Sequence, residues 1–261
     1  MTARILYTDE AVKPATNITT SWAPVAGDLA ALDLGPARFL RTDEASWSMS
    51  FDAVALGAAA VVIVIEPIDL GTGGAINTAA KGANVPAAFP EDGAGNLRLR
   101  PGRNALALVG LQNAGADSAE LVLTFSGGNV AWDIHAIAPL AEWQMPEGVD
   151  ADWSISYIDL SAVNVADSGA PSVARRPVLR ELNFRLRNRF EDEIILPAEA
   201  GLMRILRGAG RSRPLMVIPR DLGDLIDAEA AAFGLIQNDA EIAHNTGPLF
   251  STGEIRIREF I

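Results

Sequence analysis

The chain has 261 residues, 49% of them apolar, enough to furnish real cores and to exclude disorder along its whole length. Twenty-one basic residues against 33 acidic ones leave a formal charge of −12, which disfavours bulk nucleic-acid binding but permits a local basic patch. With no cysteine, the chain has no disulfide, thiolate metal site or thiol nucleophile.

Lys13 and Lys81 are the only lysines, so nearly every positive charge is an arginine. The rigid arginine fork suits fixed ion pairs at interfaces; a GC-rich genome gives the same bias without selection. The start, "MTARILYTDEAVKPATN", lacks the apolar core of a signal peptide. The longest apolar run, "AVALGAAAVVIVIEPI", is broken by Glu66 and Pro67 and falls short of the roughly 20 residues needed to span a bilayer. The expectation is a soluble protein, not secreted by the usual route and not inserted in a membrane.

In the first half, "AVVIVIE" (60–66) is a β-branched run suited to a strand buried on both faces, and "NLRLR" (96–100) alternates as a second strand. "ALALVGLQ" (105–112), the turn "NAGADS" and "AELVLTFSGG" (119–128) read together as a hairpin. No long helical period occurs before residue 130, and the pattern predicts an antiparallel, jelly-roll-like β-sandwich over 1–140. Pro139, Pro146 and Gly148 mark a joint near residue 140.

Residues 141–261 have another rhythm. "ELNFRLRNR" (181–189) sets Leu182, Phe184 and Leu186 on one face and Asn183, Arg185, Arg187 and Arg189 on the other. "PAEAGLMRILRGAG" (197–210) turns helical, with Leu202, Met203, Ile205 and Leu206 as its apolar stripe and Gly208 or Gly210 as its end. "RPLMVIPR", "AAAFGLIQ" and "GEIRIREFI" follow as strands. The expected fold class is mostly β: the sandwich, then an α+β domain with one helix packed on a sheet.

No catalytic constellation emerges. Asp133 and His135 share one face of a strand, a spacing open to metal binding, acid–base work or a plain surface hydrogen bond. His244 has no partner at a metal-ligand spacing. "GTGGAIN" (71–77) and "GAGRSRP" (208–214) are glycine-rich; the second follows a helix, so it reads as a C-cap whose arginines meet the last carbonyls rather than as a phosphate cradle. The acidic clusters "FEDE" (190–193), "PRDLGDLIDAE" (219–229) and "EGVDADW" (147–153) read as solvated loop charge. Trp22, Trp47, Trp132, Trp143 and Trp153 either pack in cores or stack on sugar rings.

Several segments together, "DWSISYIDLSAVNVADSGAPSVARRPVLRELNFRLRN", "LMRILRGAGRSRPLMVIPR", "FGLIQNDAEIAH" and "IRIREFI", resemble a family of virion structural proteins of long-tailed bacteriophages and related prophages. The likeness covers roughly residues 132 to 261 and rests on Asp159, Ser161, Gly169, Arg176, Arg180, Phe184, Gly210, Arg213, Pro214, Pro219, Gly234 and Glu259. "ARFLRTDEASWSMSFDAVALGAAAVVIVIE" and "WDIHAIAPL" are more weakly similar to a discoidin-like, galactose-binding-like jelly roll, departing from it where residues separate Asp52 from Gly57.

The resemblance implies a non-enzymatic component of a phage tail tip or baseplate, made in the host cytoplasm and resident in the virion. Such a component forms a trimeric or hexameric ring that joins the tail tube to receptor-binding parts. Its partners are itself and other tail proteins, with no catalytic residue, cofactor or metal implied. From Ser172 to Arg220, eleven arginines face five acidic residues, a balance of +6 that leaves −18 for the remainder. Arg180, Arg185, Arg187 and Arg189 are therefore the interface candidates, set against carboxylates of a neighbouring subunit. Internal pairing with "FEDE", or a solvated face, is the competing role. The alternatives are a carbohydrate-binding module holding host glycan through Trp47 and Trp132, a head-tail connector component, or a glycan hydrolase using two loop carboxylates.

Overall fold

The computed structural model describes residues 2–8, 18–21, 40–42, 46–52, 59–69, 79–81, 87–89, 96–97, 103–111, 120–126, 130–145, 148–149, 152–165, 171–174, 178–194, 201–221 and 230–259. The fold is mostly β. Its first strands are β1 (Thr2–Tyr7), β2 (Ile18–Thr20), β3 (Leu40–Thr42), β4 (Ser46–Asp52), β5 (Ala60–Asp69), β6 (Ala79–Lys81), β7 (Ala87–Phe89) and β8 (Asn96–Leu97). Then come β9 (Asn104–Val109), β10 (Glu120–Ser126), β11 (Val130–Met145), β12 (Ser154–Asp159), β13 (Ala162–Val165), β14 (Pro171–Ala174), β15 (Val178–Phe184) and β16 (Arg189–Phe190). A single turn of helix, α1 (Glu191–Ile194), and the longer α2 (Leu202–Ala209) precede β17 (Leu215–Asp221), β18 (Ala232–Ile236), β19 (Ile242–His244), β20 (Leu249–Thr252) and β21 (Ile255–Glu259).

One eleven-stranded sheet runs β12-β15-β21-β18-β17-β1-β11-β5-β9-β7, with β3 also on β11. Beside it are a five-stranded sheet, β2-β4-β10-β6-β8, a β13-β14 ribbon and a small β16-β20-β19 sheet. The expected hairpin of β9 with β10 does not form: β9 pairs with β5 and β7, and β10 with β4 and β6. A turn sequence reverses the chain but does not dictate that both arms join one sheet. Each arm goes where its apolar side chains are covered.

The expected joint near residue 140 lies inside β11. That strand pairs with β5 from Val130 to Leu140 and with β1 from Ala141 to Met145, so backbone pairing is unbroken across the position. β1, from the start of the chain, then sits between β11 and β17. The first and second halves thus share a sheet.

The central strands are apolar on both faces because both faces are covered. In β1, Ile5 and Tyr7 enter a core with Leu182, Phe184, Val217 and Ile257, while Leu6 enters another with Val62, Val64, Met216 and Ile218. The run "LMVI" in β17 divides likewise, Leu215 and Val217 one way and Met216 and Ile218 the other. Each such fully buried aliphatic side chain contributes about 1.5–3 kcal/mol relative to exposure.

α2 lies on the first of these cores through Leu202, Ile205 and Ala209. It begins after Gly201, and residues 197–200 of the expected helix lie outside the described part. It ends at Gly210, whose φ of 50° favours glycine and whose N–H donates to the Leu206 carbonyl. The Arg213 N–H donates to the Ala209 carbonyl at 3.0 Å. Backbone donors, rather than the expected arginine side chains, therefore serve these two last-turn carbonyls.

Candidate interaction surface

Strand alternation in "ELNFRL" holds through Leu186, and then the backbone turns: Asn188 takes a φ of 51°, a conformation Asn tolerates better than most residues. The four candidate arginines are consequently not on one face. Arg180 is buried, donates to the Ala231 carbonyl and pairs with Glu259 at 2.5 Å. Arg189, on β16, is also buried and donates to the Gly148 carbonyl at 2.5 Å. Both are structural residues inside this chain, because alternation points Arg180 to the core side of β15 and the turn at Asn188 swings Arg189 inward. Arg185 and Arg187 are exposed.

Arg187 meets Asp152 at 2.6 Å, with both side chains about half exposed. Arg185 borders a shallow hollow of about 170 Å³ with Asp152, Ser154, Asn183 and Glu254. On the same face of the sheet, Glu181 receives two bonds from Arg258 at 3.0 and 3.2 Å, and Glu254 receives Arg256 at 2.5 Å. Pairing with Glu254 holds the Arg256 guanidinium above its ordinary pKa. Arg256 and Arg258 follow the strict alternation of "IRIRE", a signal fainter than the denser arginine strip upstream.

Among the described residues β12 is one edge strand of the large sheet and β7 the other. Among the described residues, the exposed large apolar side chains are Tyr157, Leu160, Val163, Val178 and Phe190. Tyr157 projects from the edge strand itself, Val178 from its neighbour β15, and Val163 from the ribbon that follows. By register and alternation Tyr157 and Val178 lie on the Arg180 side of the sheet, whereas Arg185 follows Asn183 on the other side, so the exposed apolar side chains and the paired arginines occupy different faces of this part of the fold.

Several of the positions that carry the sequence resemblance hold the fold together. Arg180 and Glu259 form the buried pair; Asp159 accepts the Ser161 N–H at 2.8 Å, and the hydrogen bonds from Ser161 hold its carboxyl below the usual range. A Cβ built on Gly234 would overlap the Arg258 carbonyl, so the β18–β21 approach requires glycine. Gly169 and Arg176 lie outside the described residues.

Trp47 on β4 and Trp132 on β11 are 2% and 0% exposed and meet edge to face with centroids 6.1 Å apart. Neither presents a ring face to a sugar. The pair instead pins the five-stranded sheet to the large one, which is what burying so much aromatic area favours. Trp143 and Trp153 are partly buried against the α2-side core, and Trp22 and the "GTGGAIN" loop lie outside the described residues.

Asp133 and His135 are buried and engage separate partners. Asp133 accepts two bonds from Arg41 at 2.6 Å, raising the Arg41 pKa, while His135 Nε2 lies 3.1 Å from Glu66, which also accepts from Arg103 at 3.3 Å. The register places Arg41, Asp133 and Glu66 side by side across β3, β11 and β5. This is a cross-strand charge ladder rather than a surface hydrogen bond. Among the described residues, no three His, Asp or Glu side chains are grouped to hold a metal. Among the described residues no helix is long and apolar enough to cross a membrane. His244 lies edge-on to Phe250 in the small sheet, with Nε2 2.6 Å from the Gly247 carbonyl.

The chain matches no protein-family model, no curated protein and no solved structure.

Proposed function

We propose that this chain is a non-enzymatic structural component of a bacteriophage tail tip or baseplate, assembling as a ring of three or six copies between the tail tube and the receptor-binding parts. The observation that carries the reading is that the exposed large apolar side chains among the described residues, Tyr157, Leu160, Val163, Val178 and Phe190, all fall in the part of the chain where the arginine strip and the sequence resemblance lie. Among the described residues the other large apolar side chains are buried or half-buried, which leaves these five as the apolar surface available to a partner. Trp47 and Trp132, in contact across two sheets, favour reading the first half as a sandwich, and their burial removes the contacts on which glycan binding would have rested.

Arg185 and Arg187 supply orientation within the ring, against carboxylates of the next subunit. Reversing both to glutamate is expected to weaken self-association, with a larger deficit at about 0.05 M salt than at about 1 M, where screening acts within about 3 Å. Light scattering after size exclusion reads this directly. Self-association unchanged at both salt concentrations would remove the arginines from the interface.

A further inference from the structure

A cleft of about 370 Å³ opens between α2 and the segment leading from β18 into β19. Its floor is apolar, formed by Met203, Leu206, Ile236 and Ile242, and Arg207 and Arg211 stand on its rim. Arg211 is held by Asp239 at 2.9 Å, while Arg207 has no carboxylate within 4 Å among the described residues. The rim is thus net positive over an apolar floor. Its complement is an apolar side chain flanked by carboxylates.

The chain carries such a segment. Phe190 is 51% exposed at the end of β16 and is followed directly by Glu191, Asp192 and Glu193. A half-exposed aromatic ring followed in the chain by three acidic residues matches the cleft in both polarity and charge. Within one copy α1 packs beside α2 through Ile194, Leu202 and Ile205, yet the ring of Phe190 stays half exposed and so is not seated in its own cleft. In the β16-β20-β19 sheet, Phe190 is on one edge strand and Ile242 of the cleft on the other, with β20 between them.

We propose that the Phe190–Glu193 segment of one copy seats in the α2 cleft of the next, Phe190 on the apolar floor and the carboxylates against Arg207 and Arg211. The inference rests on the ring reading and names a contact that builds it. Plug and socket are different surfaces, so the contact is head-to-tail, the kind that closes into a ring when the rotation between copies divides a full turn. It also gives the acidic run after the arginine strip a partner other than the strip itself.

Sedimentation velocity over a concentration series tests this with the full chain and four variants: Phe190→Ala, Arg207→Glu, Glu191→Arg, and the last two combined. All three positions are exposed, so melting curves should stay close to wild type and separate assembly from folding. Each single substitution is expected to weaken association by about tenfold or more, and the combined charge swap to recover much of the Glu191→Arg and Arg207→Glu losses. A wild-type oligomer that Phe190→Ala and Arg207→Glu leave intact overturns the contact while leaving the ring reading in place. A wild type that stays monomeric at every concentration overturns both.

Discussion

His135 sits where β11 slips against β5: Ile134 faces Ile65 and Ala136 faces Val64, leaving the histidine as the extra residue of a bulge. That slip brings the imidazole to Glu66, while burial, and after it the Arg103 guanidinium, lower its pKa from the usual 6.5 against the pull of Glu66 and Asp133. The unfolded chain therefore takes up this proton more readily than the folded one. Stability from this group is complete above about pH 6.5 and drains away as the pH falls through and below that value. Between about pH 7.5 and 5.5, the melting temperature should drop for wild type and drop less for His135→Gln, whose amide keeps a donor for Glu66. Equal slopes would remove His135 as the titrating group. The sequence placed Asp133 and His135 on one strand, yet their partners Arg41, Glu66 and Arg103 come from distant segments. Only strand register, a non-local property, brings them together.

β15 shows how alternation is both informative and incomplete. Periodicity in "ELNFRL" correctly separates Leu182 and Phe184 from Asn183, and "IRIRE" does the same for Ile255 and Ile257 against Arg256 and Arg258. It also puts Arg180 on the core face, where an arginine survives only because it reaches both Glu259 on β21 and the carbonyl of Ala231 beside β18. Replacing Arg180 by Met would leave the largely buried Glu259 carboxylate without this cation, at a cost of about 3–5 kcal/mol. The same change at Arg187, whose pair with Asp152 is half exposed and screened, should cost less than about 1 kcal/mol. Urea titrations of the two variants compare these directly, and equal costs would contradict the assignment of one arginine to the fold and the other to the surface. Periodicity says nothing about which strands become neighbours. β9 and β10 are close in sequence and part company, whereas β1 and β17 lie far apart in sequence and pair over most of their length.

Across the whole molecule, Pro139, Pro146 and Gly148 and the change of pattern predict two units meeting near residue 140. A long strand nevertheless carries one into the other, and the core formed by Leu6, Val62, Met216 and Phe233 draws on both. Charge is distributed unevenly over this framework, +6 between Ser172 and Arg220 against −18 elsewhere. Two of the strip's arginines, Arg180 and Arg189, hold the fold, and Arg185 and Arg187 are exposed. A molecule so polarised orients a second copy by its field before any contact forms. Native mass spectrometry of the full chain over a concentration series addresses the central claim most directly. A closed trimer or hexamer, with no ladder of larger species, is the predicted result; a strict monomer throughout the series would contradict it.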